Sequence, residues 1–362
     1  MRLFPRDRDL SQPLECVELV VRASDFGLTV EAVEMRLDQF LARHMPWRSR
    51  SSVQGLVKGG HVLVDAATPE HPTGAGQALV ERRPGRKLRH GSRVVIVIPQ
   101  ELRVPLAARA AGVEHHAGNQ FDELCVLYRD RACLALDKPA MLAVHPSGRH
   151  LSDTLIQRVH RMLGTQDLRR EGRPRLAHRL DRETSGVILI GLDPRAHAEL
   201  MRQFEEREVE KEYLAVVQGE PEHQGGRIEL PIGRSRGSRI QLKMAVQMDG
   251  QEAVTEWRVV RRVRGYALVS CRIGTGRQHQ IRVHLEAIGH PVVGDKLYGY
   301  DENLFQKAAD GTLTSEDYRV LELPRQALHS HRLVFTSPET GARAEAVSPL
   351  AADLQRFLDA HS

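Results

Sequence analysis

His178-Arg179-Leu180-Asp181-Arg182-Glu183-Thr184-Ser185-Gly186 runs directly into Val187-Ile188-Leu189-Ile190. A short continuous apolar run bounded by turn residues reads as a strand buried on both faces. Asp181 then lies on the loop entering a central strand, a rigid place to mount a reactive group. Arg179 and Arg182 flank it. They would keep a carboxylate ionised at neutral pH and hold a polyanion nearby. An ionised carboxylate is a competent covalent nucleophile at a sugar carbon. A helix cap, a turn former or a surface ion pair are the plainer roles that a loop Asp takes, and spacing alone does not separate them.

The chain has 362 residues, enough for two domains with separate cores. Its charged residues make up 27% and its apolar residues 41%, an ordinary balance for a globular protein. The net charge of +5 is unevenly placed. Between Met35 and Pro99 there are eleven Lys/Arg and four Asp/Glu, so this window carries +7 and the remainder −2. A basic patch on a near-neutral body points to a polyanion-binding module attached to something else. Cys16, Cys125, Cys133 and Cys271 lack the paired spacing of a zinc site or disulfide framework. No metal is expected, and a reducing compartment follows. No apolar run has the length of a membrane span, and Met1 to Arg8 lacks a signal-peptide core. A cytoplasmic protein with no membrane partner is the expectation.

Residues 1–33 read as an N-terminal extension with one short strand at Val17–Val21. Leu37, Phe40 and Leu41 recur at helical spacing, and Arg36 and Arg43 fall elsewhere on the wheel. Pro46-Trp47-Arg48-Ser49-Arg50-Ser51 breaks the pattern, and a second helix carries Val53, Leu56, Val57 and Lys58 before Gly59-Gly60 ends it. Strands follow at His61–Val64 and Ser92–Ile98. Two short basic helices followed by strands resemble the small RNA-binding domain of a ribosomal small-subunit protein, over about residues 34–99. The resemblance implies RNA contact through Arg36, Arg43, Arg48, Arg50 and Lys58. It departs at residues 66–80, where the strand connection is enlarged. Residues 100–121 read as a linker, and residues 122–362 as the second domain.

In that second domain, strands at Val126–Tyr128 and Cys133–Leu136 turn at Asp130-Arg131. A helix candidate runs from Ser152 to Leu163, capped by Ser152 or Asp153. Asp193-Pro194 marks a further helix start, and Lys211–Val217 a strand. Thr255–Val260 and Tyr266–Cys271 are antiparallel candidates. Gly274-Thr275-Gly276-Arg277-Gln278-His279-Gln280-Ile281-Arg282-Val283-His284-Leu285 turns into a helix on which Arg282 and Leu285 share a face. Residues 301–324 read as a variable insertion, and a tail helix lies near Ala351–Leu358.

The run His-Arg-Leu-Asp-x-x-Thr-Ser-Gly at 178–186 resembles the signature of the RluA-type pseudouridine synthases. Lys138-Pro139 with His145-Pro146, Lys211-Glu212-Tyr213, and the 274–285 string resemble that family's other motifs, in the same order. The resemblance covers about residues 35–350. It implies an α+β fold: a mixed, mainly antiparallel sheet with a central RNA-binding cleft, plus the small α/β RNA-binding domain. It implies isomerisation of uridine to pseudouridine in structured RNA, with large-subunit ribosomal RNA expected and transfer RNA the alternative. By motif match Asp181 is the nucleophile, Tyr213 stacks on the base, Arg282 pairs with Asp181, and Leu285 packs under the base. Arg179 fills the gap left in the RNA, while Lys138 and Arg277 are candidates for phosphate contact. No metal or other cofactor is implied, and a monomer is expected. A catalytically silent RNA-binding or ribosome-assembly protein, and a glycosylase that excises the base, are the competing readings. Glu183 as the second carboxylate of a hydrolase pair is disfavoured, because it occupies a position that varies in the family.

Overall fold

A computed structural model describes residues 16–45, 50–97, 124–145, 154–164 and 174–362, with residues 25 and 50–52 described by backbone alone. The chain divides into two units, one within residues 1–115 together with 146–153, the other comprising 116–145 and 154–362. The candidate linker at 100–121, Arg48, and the Pro146-Ser147 part of the first motif lie outside the described residues.

The small unit contains β1 (Cys16–Val20), β2 (Glu34–Arg36), α1 (Leu37–His44), α2 (Arg50–Lys58), β3 (Val62–Asp65), β4 (Leu79–Val80), β5 (Lys87–Arg89) and β6 (Arg93–Val97). The order β1-β6-β3-β4 forms a four-stranded antiparallel sheet, and β2 pairs with β5. The apolar stripes predicted for the helices are buried with it: Leu37, Phe40, Leu41, Val53 and Val57 are fully enclosed. Residues 16–33 are not a separate extension. Val17 and Leu19 alternate inward on β1 and join Val21, Ala23 and Val33 in the same core. The enlarged 66–80 connection folds back on Asp65, whose carboxylate accepts from Ala75 N–H at 2.8 Å and Gly76 N–H at 2.9 Å.

The large unit is built on a ten-stranded sheet. In chain order its elements are β7 (Cys125–Arg129), β8 (Cys133–Lys138), α3 (Leu155–Met162), β9 (Arg175–Leu176), β10 (Ser185–Gly191), α4 (Pro194–Glu205), β11 (Glu210–Gln218) and β12 (Gly225–Glu229). Then come β13 (Ile232–Arg234), β14 (Met244–Val246), β15 (Val254–Val263), β16 (Tyr266–Ile273), α5 (Gln280–Ala287), α6 (Asn303–Asp310), α7 (Ser315–Leu321), β17 (Leu328–Thr336), β18 (Arg343–Val347) and α8 (Ala352–Ala360). The sheet order is β12-β15-β16-β11-β17-β10-β8-β7, with β18 beside β17 and β9 beside β10. Its pairings are antiparallel except β10 with β17. The 301–324 insertion is the helix pair α6 and α7. The cap of α3 is Thr154, whose N–H and O–H both donate to the Gln157 side chain, in place of the expected Ser152 or Asp153. Asp193 caps α4 as its Asp-Pro start predicts, accepting from Arg195 N–H at 2.7 Å and Ala196 N–H at 2.9 Å.

Every residue of β10 is buried, as the continuous apolar run requires. The parallel pairing begins at Ser185↔His329 and Gly186↔Ser330. Gly186 has φ +103°, and a Cβ there would sit 2.1 Å from the Ser330 carbonyl oxygen. Only glycine accepts both the backbone conformation and the close approach. Gly186→Ala should therefore lower unfolding stability by roughly 3 kcal/mol. Gly265→Ala, at φ +74° with nothing within 4 Å of the added carbon, should cost about 1 kcal/mol. Urea unfolding of the two variants checks the difference.

Candidate active site

Asp181 sits on the loop that enters β10, and local bonds fix that loop. The Thr184 N–H returns to the Asp181 carbonyl at 3.2 Å. His178 Nε2 accepts from Leu189 N–H at 3.0 Å, and its ring lies 4.9 Å from that of Phe204. That acceptor role needs a neutral ring, and burial, with the nearby Lys211 charge, pushes the imidazole down to about 3. The Gln326 amide bridges the loop to the segment before β17, donating to Thr184 Oγ1 at 2.6 Å and Asp181 Oδ2 at 3.2 Å.

Arg282, on α5, reaches Asp181 Oδ2 through Nη1 at 2.8 Å. Its other edge forms a fork on Asp295, from Nε to Oδ2 at 2.6 Å and from Nη2 to Oδ1 at 2.8 Å. Asp295 is fully enclosed, and Oδ1 also accepts from Leu297 N–H at 3.0 Å and Tyr298 N–H at 3.3 Å. The Tyr298 ring lies 4.9 Å from the centre of the guanidinium. The exposures differ along this chain of charges: 0% for the Asp295 side chain, 7% for Arg282 and 37% for Asp181. A fixed ion pair therefore ends in one carboxylate that solvent, or a ligand, can reach.

Burial works against the charge on Asp181, yet its neighbours hold the carboxyl down to about 2. His279 and Arg282 both contribute, together with the Gln326 hydrogen bond. His279 is itself pushed down to about 4 by burial and by Arg282, so its ring is neutral at pH 7. At that pH the guanidinium and the amide are the partners that keep Asp181 ionised. Tyr213 is 8% exposed, and burial, together with the Asp181 charge, pushes its phenol up to about 12 against the nearby Ser330 hydroxyl. It is a neutral ring beside an ionised carboxylate.

Leu285 is enclosed on α5. Arg179 is exposed, two residues before Asp181. Arg277 is half-buried, with Nε donating to the Glu252 carbonyl at 3.0 Å. Lys138 is a correction. It has no exposed surface, and its Nζ donates to the Pro139, Leu142 and Arg182 carbonyls at 2.9, 3.0 and 3.1 Å. With three donors used on backbone, it cannot contact a phosphate; it straps the first motif to the Asp181 loop. In the small unit Arg36 is exposed and holds the buried Asp38 through Nε and Nη2 at 2.9 and 3.0 Å. Arg43 and Lys58 are exposed, while Arg50 begins α2 with its side chain outside the described residues.

Sequence reasoning passed over Asp295, Gln326, His279 and Tyr298 as site members. Asp295 and Tyr298 fall outside the strings matched in the sequence, and His279 lies inside the 274–285 string with no role assigned to it. Gln326 also falls outside them. Glu183, set aside as a second catalytic carboxylate, binds Lys296 Nζ at 2.8 Å and Arg182 at 3.0 Å.

The family model for RNA pseudouridylate synthases matches residues 132–287, and that for the S4 domain matches residues 35–66. A ribosomal large subunit pseudouridine synthase D of Xanthomonas campestris pv. campestris is 36% identical over 329 residues, covering 91% of this chain and 89% of that protein. The protein of that name from Pseudomonas aeruginosa is 34% identical over 336 residues, covering 93% and 94%. Among solved structures, human RNA pseudouridylate synthase domain containing 4 superposes with a TM-score of 0.50 at 25% identity, covering 65% of this chain and 92% of that one.

Three outcomes follow from the charge network. Because Asp181 titrates near 2 when folded and near 4 when unfolded, its contribution to stability is present above about pH 4 and lost as pH falls through about 2. In Gln326→Leu the Asp181 carboxyl should titrate at a higher pH than in the wild type, read by carbon-13 NMR of labelled aspartate. Asp295→Ala leaves a buried guanidinium with a single carboxylate and should cost about 3–5 kcal/mol in denaturant unfolding.

Proposed function

The chain belongs to the RluA-type RNA pseudouridine synthases, a family of isomerases, and we propose that it converts uridines of large-subunit ribosomal RNA to pseudouridine with Asp181 as the nucleophile. The observation that carries the catalytic assignment is the Asp181 carboxylate itself. It is held ionised by Arg282 and Gln326 at 2.8 and 3.2 Å, on a fixed loop, and keeps 37% of its side-chain surface open. The ribosomal substrate is carried over from the names of relatives that align along more than nine-tenths of this chain.

In the proposed reaction an Asp181 oxygen bonds to C1′ of the target ribose, and the C1′–N1 electron pair leaves with the uracil. The uracil turns within the site. C5 then bonds to C1′ and the carboxylate is released. C5 gives up its proton and N1 gains one, so the product is an isomer of the substrate. Arg282 orients the attacking oxygen through a hydrogen bond that survives the charge change. Tyr213 offers a neutral face on which a base taken out of its stack rests, and Leu285 closes the apolar floor. Arg179, exposed beside the loop, fills the space the base vacates. The S4 domain adds phosphate contacts through Arg43 and Lys58, which raise affinity without choosing the site.

Carbodiimide mapping of pseudouridine in total RNA tests this. Deleting the gene should remove specific sites in large-subunit ribosomal RNA, and the wild-type gene should restore them. Asp181→Asn should not, with product formation in vitro falling at least about 10³-fold while RNA affinity stays within a few-fold. Loss of sites only from transfer RNA would reassign the substrate. Full activity of Asp181→Asn would overturn the nucleophile. Abasic sites in treated RNA would mark a glycosylase.

A further inference from the structure

His279 has a backbone that a histidine seldom adopts. It stands immediately before α5 in the left-handed region, at φ 58° and ψ 17°. Such strain persists only where the surroundings over-determine it. Here Gln280 fixes the turn: its side-chain oxygen accepts from Thr275 Oγ1 at 2.8 Å and Arg277 N–H at 3.1 Å, and its Nε2 donates to the Val254 carbonyl at 2.8 Å. The consequence is that the His279 ring meets the Tyr298 ring edge-on at 5.7 Å, and Tyr298 lies 4.9 Å from the Arg282 guanidinium that holds Asp181.

The hydrogen bonds of Tyr298 decide which ring nitrogen of His279 carries the proton. Tyr298 is fully buried, and its hydroxyl oxygen accepts from Met244 N–H at 3.0 Å. Its own hydrogen needs an acceptor. Among the described residues the partner in reach is His279 Nδ1, at 2.8 Å. Nδ1 is therefore the acceptor, and the neutral ring carries its hydrogen on Nε2. Nε2 makes no hydrogen bond to the described residues. The ring is half-buried and stays neutral at pH 7, because burial and the Arg282 charge both push its pKa down. An imidazolium here would pair with Asp181 and blunt the nucleophile; a neutral N–H donor does not.

We propose that His279 is a catalytic residue that donates a hydrogen bond from Nε2 to a carbonyl oxygen of the target uracil, with Tyr298 as the positioning residue that locks the donating tautomer. This rests on Asp181 being the reacting carboxylate. When the C1′–N1 bond breaks, its electron pair stays with the uracil, and the charge spreads onto the ring carbonyls. A fixed neutral donor at one of them stabilises the departing anion more than the bound uridine, which is the condition for raising kcat. A neutral imidazole with a depressed pKa is an established way to polarise a carbonyl without introducing a competing cation.

His279→Gly tests the proposal, because glycine accepts the left-handed backbone and removes only the ring. The expected result is a kcat lower by about 10²-fold with RNA affinity unchanged. Added imidazole should restore part of the rate, and 1-methylimidazole, which has no N–H when neutral, should not. Nitrogen-15 NMR of histidine-labelled protein should place the His279 hydrogen on Nε2 in the wild type and give a mixture in Tyr298→Phe. A kcat within twofold of wild type, equal rescue by both imidazoles, or a hydrogen on Nδ1 in the wild type would each overturn the proposal. If Asp181→Asn is inactive and His279→Gly is not impaired, the donor role fails and the nucleophile stands. If Asp181→Asn is active, the site reading itself fails.

Discussion

One guanidinium shared between two carboxylates organises the site. Arg282 is buried, and a buried cation is tolerable only when its charge and its N–H groups are matched. Asp295 supplies a permanent match through a two-bonded fork, and two backbone N–H groups in turn hold Asp295. That leaves Nη1 directed at Asp181. A lysine in this position would offer a single ammonium and could not hold a fork on one carboxylate while aiming a separate N–H at another. The division of labour follows the burial gradient: Asp295 is structural because it is sealed, and Asp181 is available because it is not.

The surrounding scaffold keeps that arrangement rigid with cations turned inward. Lys138 ties three backbone carbonyls across the first motif and the Asp181 loop. Burial and the neighbouring Arg325 and Arg182 charges push its ammonium down to about 7, and the carbonyls it binds favour its charged form. Arg325 is likewise enclosed. It forks onto Asp353 of α8 at 2.6 and 2.9 Å and donates to the carbonyls of Glu183, Gln326 and Leu328. The C-terminal helix is thereby tied to the segment that presents Gln326. These basic residues serve backbone geometry, whereas Arg179, on the same loop as Asp181, is exposed.

The small unit is economical in a similar way. Its sheet is completed by a strand that precedes the two basic helices in sequence, because two helices and a short sheet need an inward row from β1 to close their core. The enlarged connection between β3 and β4 is satisfied by a single carboxylate, Asp65. Surplus loop length there is accommodated without disturbing the sheet register.

The sequence by itself determined the central strand, the capped helix after Asp193 and the helical stripes of the small unit, while Asp181, Tyr213 and Arg282 were singled out by resemblance to a family's motifs. These are local patterns: periodicity, turn chemistry and strings of neighbouring residues whose spacing survives in the fold. The tertiary structure decided which polar residues point into the site and which are locked away. Lys138 looks like a free cation in sequence, yet its ammonium is saturated by three backbone carbonyls. Asp295 and Gln326 belong to no string that marks them in sequence, yet they hold the two sides of the Arg282–Asp181 pair from positions 114 and 145 residues beyond Asp181. Hydrogen-bond satisfaction is a property of the assembled chain, because partners that distant meet only after the sheet order has been set.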